Sequence, residues 1–148
     1  MTEQLPLRVL DAIKSIVGEQ NVRTDADSLA TFGRDWTRAW EPQPSAIVFP
    51  RSAEQVQQLV LLANGEQFGL VPSGGRTGLS GGACATAGEV VIAFDYMNAI
   101  GDFDPIDRSV VVGAGVITEQ LQDFAEAQGL FYPVDFASAG SSQIGGNI

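Results

Sequence analysis

The sequence predicts a mixed domain of helices and short strands, α+β or α/β in plan, and three observations lead there. Helical periodicity comes first, short apolar runs follow from residue 46, and a loop dense in glycine separates two of those runs. Residues 5–17 place Leu7, Leu10, Ile13, Ile16 and Val17 at helical spacing, with Gly18 as the stop. Residues 25–32 form a second, short helix capped by Thr24 or Asp25. Residues 33–40 have no clear period and form an ordered crossing loop. Ala46 to Pro50 is a short apolar strand, and Ser52 with Gln55 opens a helix through about Asn64 that buries Val56, Leu59, Val60 and Ala63. Strands follow at about 69–72, 89–94 and 109–112. Residues 118–128 form the last helix, with Thr118 as its N-cap and Gly129 as its stop.

Composition narrows the function classes. At 148 residues and 45% hydrophobic, the chain can bury one ordinary core. A net charge of −10 argues against nucleic acid and anionic membranes as main partners. With no histidine, neither a Ser/His/Asp triad nor a histidine metal site can be built from these residues. The lone Cys84 has no intrachain partner, which fits a reducing compartment. Residues 1–4 carry no basic leader region and no long apolar run follows, so the reading is a cytoplasmic, soluble domain.

The most informative stretch is Pro72-Ser73-Gly74-Gly75-Arg76-Thr77-Gly78-Leu79-Ser80-Gly81-Gly82. Glycine leaves successive backbone N–H groups unobstructed and free to converge on one anion, a phosphate or diphosphate for choice. The bland alternative is a flexible surface turn, but fixing so many glycines is entropically costly. The Lys-Ser/Thr of a Walker A loop is missing, and Arg76 either adds charge to the site or sits exposed at the tip. Gly113-Ala114-Gly115 followed by Thr118, with Asp135 beyond, imitates a dinucleotide fingerprint. A strand-to-helix turn lining the site explains it better, because the third glycine is absent and the motif comes late. Asp102, Asp104 and Asp107 read as a solvated hairpin turn rather than a calcium site. Trp36 and Trp40 read as packing, and Cys84 as a small buried hydrophobe with a reactive thiol as the alternative.

A second glycine- and serine-rich segment, Gly140-Ser141-Ser142-Gln143-Ile144-Gly145-Gly146-Asn147-Ile148, stops in mid-pattern, so the chain reads as the front piece of a longer protein. The two loops, with Tyr132-Pro133-Val134-Asp135-Phe136 between them, resemble the FAD-binding domain of the vanillyl-alcohol oxidase type (PCMH-type) flavoproteins. Gly33-Arg34-Asp35-Trp36-Thr37, Phe94-Asp95-Tyr96-Met97-Asn98 and residues 133–140 are similar to the D-2-hydroxyglutarate dehydrogenases within it. The resemblance implies an α+β, two-subdomain module: a small three-stranded subdomain, then the start of a larger mixed sheet. Residues 1–40 would be an N-terminal helical segment and crossing loop, and 41–148 an FAD-binding domain incomplete at its C-terminus.

In that family the first loop wraps the FAD diphosphate. By resemblance this falls to Ser73, Gly74, Gly75, Arg76, Thr77, Gly78 and Leu79. The second segment runs past the ribityl chain and flavin, which implicates Pro133, Asp135, Gly140, Ser141, Ser142, Gly145 and Asn147. The implied activity is oxidation of a D-2-hydroxy acid, D-2-hydroxyglutarate ahead of D-lactate or glycolate, by hydride transfer to non-covalently held FAD. A flavoprotein or quinone-linked electron acceptor is implied, and a homodimer is compatible. The catalytic base and any divalent metal would lie beyond Ile148, so no catalytic residue is assigned. The rival from another class is a non-catalytic nucleotide- or phosphate-binding module.

Overall fold

Two apolar runs set the architecture. Ala46–Val48 (β2) and Val90–Ala93 (β4) are buried at every position, so both faces of their sheet have to be covered. The computed structural model, which describes residues 5–148, shows how; the leader reading on residues 1–4 lies outside the described residues. One sheet has the order β1-β2-β4-β3, where β1 is Val22–Arg23 and β3 is Leu70–Ser73. β2, β4 and β3 run parallel, with Val48 beside Ile92 and Ser73 beside Ala93. β1 joins β2 antiparallel at the edge. The three parallel strands match the small subdomain that the resemblance implied, with β1 added to it.

Strand alternation divides the core in two. Ala46, Val48, Val90 and Ile92 pack against Val9, Ile13 and Val17 of α1 (Leu7–Val17) and Leu59 of α3 (Ala53–Glu66). Ile47, Val91 and Ala93 point the other way, to Phe49 and Ala85, flanked by Leu29 and Phe32 of α2 (Ala26–Phe32). Asp25, not Thr24, caps α2 by accepting from the Ser28 N–H. Ser52 caps α3 through the Gln55 N–H, while the Gln55 side chain reaches the Arg51 N–H rather than that of Ser52. Only half of the expected capping box therefore forms.

The structure corrects several elements. Leu7 is 78% exposed and Val60 42% exposed, because Val9 and Leu59 occupy the inward positions of α1 and α3. Helix α3 runs two residues past Asn64, and Gln67 closes it in the left-handed region at φ 58°. β1 was not anticipated, since two residues carry no pattern of their own. The strand at residues 109–112 is Ser109–Val112 (β6), and its unanticipated partner is Ile100–Asp104 (β5).

β5 and β6 form an antiparallel hairpin at whose turn Asp104 accepts from the N–H groups of Ile106 and Asp107. The acidic stretch is thus the solvated turn that was expected, with Asp102 on the strand leading into it. Because β6 pairs antiparallel, the turn at Gly113 and Gly115 does not open a parallel βαβ unit, and the dinucleotide fingerprint is a coincidence of spelling. A third cluster of Val116, Leu121 and Ile144, with Val110, Val112 and Phe124 beside it, packs the hairpin against α4 (Thr118–Ala127). No helix among the described residues is long and apolar enough to cross a membrane.

Leu59→Ala should lower stability by about 2–5 kcal/mol, because its side chain is enclosed on every side. Leu7→Ala should stay within about 0.5 kcal/mol of wild type. Denaturant midpoints of the two variants check the inward face of the helices; equal losses would contradict it.

Candidate functional site

Parallel strands cannot be joined by a tight turn, and the connection is usually a helix. Between β3 and β4 it is instead the glycine-rich loop and its return, residues 74–89, with no helix in it. The loop leaves from the carboxyl end of β3, beside Phe94 at the carboxyl end of β4. That edge of a parallel sheet is where open α/β sheets place their ligands.

From Gly74 to Ser80 none of the backbone N–H groups donates a hydrogen bond among the described residues. Residues 74–77 are also half-buried, so these donors are only partly available to water. Backbone N–H groups withdrawn from water are nearly always paired, and a run of free ones beside a groove offers a place for an acceptor. The loop forms one wall of a groove of about 400 Å³, within the range of small-molecule sites. Gly74, Gly75, Arg76, Thr77 and Gly78 face Ser142, Gln143, Gly145 and Asn147 across it, with Phe94 and Ala114 between the walls.

The two walls meet by close backbone approach. A Cβ on Gly75 would run into the Ser141 carbonyl, so only glycine lets the loops come together there. The second wall is tied internally, in contrast to the first. Ser142 shares a 2.8 Å hydrogen bond with Thr118, whose hydroxyl also accepts from Asn147 Nδ2 at 2.7 Å. Gly145 donates to the Ala114 carbonyl and Ile144 to that of Val116. Thr118 is therefore not the N-cap: it is the first residue of α4, fully buried, and its hydroxyl fastens the second loop to the helix. Ala114 lines the groove, as a strand-to-helix turn there was expected to do.

Arg76 is neither a free charge nor an exposed tip. Its guanidinium lies 4.5 Å above the Phe32 ring, donates to the Gly74 carbonyl at 2.8 Å and pairs with Asp95 at 3.4 Å. The left-handed backbone of Arg76, φ 57°, turns the side chain back under its own loop. Asp35, which sequence reasoning missed, holds the loop from the other side. It is buried, accepting from the Thr37 hydroxyl at 2.6 Å, the Thr37 N–H and the Gly81 N–H at 2.8 Å. Those bonds, Thr37's foremost, keep its carboxyl below the usual carboxylate range against the opposing effect of burial. Trp36 is 69% and Trp40 46% exposed, so neither is simple packing. Trp40 lies edge-on to Gly81, and Trp36 donates from its backbone to the Gly78 carbonyl. Cys84 is only partly buried; burial raises its thiol pKa first, and the Asp35 charge adds to that.

Of the remaining expected residues, Ser73 is wholly buried beneath the loop and Leu79 is 69% exposed at its tip. Ser141 contributes the carbonyl that abuts Gly75. Pro133, Asp135 and Gly140 are exposed and do not line the groove. Gln143, Phe94 and Gly146 line it without having been given a role, and Gly82 of the glycine-rich stretch lines it too. Among the described residues no group of His, Cys, Asp and Glu is placed to hold a metal ion.

A loop of free amides facing a polar wall at the carboxyl edge of parallel strands suits a dinucleotide bearing a diphosphate. The chain belongs to the FAD binding domain family, whose model matches residues 44–148. Its cofactor is accordingly FAD. It is 61% identical over 140 residues to D-2-hydroxyglutarate dehydrogenase of Stutzerimonas stutzeri (strain A1501), covering 95% of this chain and 30% of that protein. It is 46% identical over 148 residues to D-2-hydroxyglutarate dehydrogenase of Xanthomonas citri pv. viticola, covering 100% of this chain and again 30% of the relative. The chain thus spans about 30% of the length of these relatives. The solved structure of an alkyldihydroxyacetonephosphate synthase superposes with a TM-score of 0.85 at 22% identity, over 97% of this chain and 29% of that one. At that identity the likeness is one of fold.

Gly75→Ala should destabilise the protein, because the atom it meets is backbone that cannot turn away, whereas Gly78→Ala has open space around it and should leave the melting temperature unchanged. Thermal denaturation of the two variants without added flavin reads the difference. The Asp35 carboxylate has a folded pKa below its unfolded value of about 4, so its contribution is complete above that value and is lost as pH falls through the folded one. The melting temperature of wild type should therefore drop more steeply below about pH 4 than that of Asp35→Asn. Parallel pH profiles of the two would contradict this.

Proposed function

We propose that residues 41–148 are the FAD-binding part of a flavin-dependent dehydrogenase oxidising a D-2-hydroxy acid, D-2-hydroxyglutarate, to the 2-oxo acid, preceded by an N-terminal helical segment and crossing loop over residues 1–40. The observation that carries the cofactor half of the proposal is the run of unpaired amides from Gly74 to Ser80. The substrate half is supported by the identity to the two bacterial relatives.

In this reading the amides of Gly74, Gly75, Arg76, Thr77 and Gly78 hold the diphosphate, with Ser73 and Leu79 framing the loop. Backbone dipoles do this work because the chain has eight Lys and Arg against eighteen Asp and Glu. The Arg76 guanidinium is already balanced by Asp95, so it stiffens the loop more than it adds charge to it. Ser142, Gly145 and Asn147 form the opposite wall, and Ser141 sets its distance; Pro133, Asp135 and Gly140 belong to the stretch leading toward the flavin. When bound, FAD supplies the hydride acceptor. This chain's residues bind and orient it and keep water from the diphosphate. The proton acceptor for the substrate hydroxyl comes from outside these residues, since the chain has no histidine and the groove no free carboxylate. The raised thiol pKa of Cys84 disfavours a thiolate, which supports non-covalent retention. An electron acceptor outside the chain reoxidises the flavin.

The full-length protein should purify yellow, and D-2-hydroxyglutarate added without oxygen should bleach the flavin band faster than D-lactate or glycolate does. Residues 1–148 alone should show no turnover with a dye acceptor. A colourless full-length protein that binds no added FAD would overturn the cofactor assignment. Bleaching by D-lactate alone would overturn the substrate.

A further inference from the structure

Gln143 carries a buried carbonyl oxygen that no described residue bonds. It is 6% exposed, it lines the groove, and its Oε1 has no hydrogen-bond partner among the described residues. A buried carbonyl oxygen left unpaired costs free energy, so native structures rarely keep one without a use. Its position is not an accident of a loose loop. Gln143 is extended, bridges Ile117 antiparallel, and lies between two backbone bonds, Thr118 N–H to Ser142 and Ile144 N–H to Val116. The side chain starts from a fixed point and ends against Gly74: a Cβ on that glycine would lie 3.5 Å from Oε1.

The chemistry around it is lopsided. The facing wall offers N–H donors from Gly74 onward, while Gln143 Oε1 is an unpaired acceptor close beside them. The hydroxyls and amide on its own wall, Thr118, Ser142 and Asn147, are already bonded to one another. A diphosphate satisfies donors and offers none. A donor covalently close to that diphosphate would meet Oε1, and in FAD the ribityl hydroxyl next to the diphosphate is such a group.

We propose that Gln143 is a cofactor-binding residue whose Oε1 accepts a hydrogen bond from the ribityl hydroxyl adjoining the diphosphate. The assignment rests on the FAD reading above and adds to it the residue that distinguishes a flavin dinucleotide from a bare diphosphate. Deleting the amide removes a polar group that the unliganded protein leaves unpaired, so the free protein should lose nothing and the complex should lose a bond.

The test uses the full-length apoprotein titrated with FAD and with 4′-deoxy-FAD, read by flavin fluorescence. Wild type should bind FAD roughly 2- to 12-fold more tightly than the deoxy analogue. Gln143→Met should bind both equally, at the wild-type affinity for the analogue, with an unliganded melting temperature equal to or above that of wild type. Should the Met variant not fold, Gln143→Asn, which draws the amide back by one methylene, should show the same loss of selectivity. Wild type that binds FAD without discriminating the analogue, or a variant that keeps the discrimination, would overturn the role of Gln143 and leave the FAD reading standing. Failure of wild type to bind FAD at all would overturn both.

Discussion

The parallel pairing of β3 with β4 is the constraint on which the site depends. A hairpin there would have spent the loop amides on a tight turn, and a crossover helix would have left free only the N–H groups of its first turn. The connection from residue 74 to residue 89 does neither, and its first amides are left without partners among the described residues at the carboxyl edge of the sheet. The full burial of β2 and β4 holds this edge in place, because their two faces are fixed by separate clusters. A rigid sheet below and an unpaired loop above are the conditions for a preorganised anion site.

Preorganisation needs the loop to keep one shape when no ligand bonds its amides. Three contacts supply this without consuming the donors. Asp35 takes the Gly81 N–H at the far end of the loop. Arg76 folds back onto the Gly74 carbonyl, Phe32 and Asp95. Gly75 lets the Ser141 backbone press against the loop from the opposite wall. The same contacts explain why an acidic protein can hold a diphosphate: oriented backbone dipoles do the work that a cluster of cations does elsewhere.

The glycine loop was legible in the sequence because its density of glycine has few other uses, and Gly74 to Gly78 line the groove while Ser73 is buried beneath them. The second loop was legible as a segment but not residue by residue. Its glycines marked it, yet Gln143 carried no pattern, and Pro133 and Asp135 follow a family spelling that places them along the chain without bringing them to the groove. Asp35 was hidden because a lone acidic residue in a loop without period looks like any solvated one; its burial depends on Gly81, far along the chain. Thr118 read by sequence as an N-cap, and the approach of Ser142 makes it a tether instead. The helix faces erred where the apolar stripe was wider than the buried one, so Leu7 and Val60 shared the period and not the burial.

Whether the amides of residues 74–80 bind the diphosphate decides between a dinucleotide site and a bare turn. Hydrogen exchange of the full-length apoprotein, with and without ligand, reads those amides directly. They should exchange fast in the free protein and become protected on adding either FAD or ADP, with riboflavin, which has no phosphate, protecting them far less. Saturating FAD that protects other segments while residues 74–80 continue to exchange at the free rate would contradict the dinucleotide site.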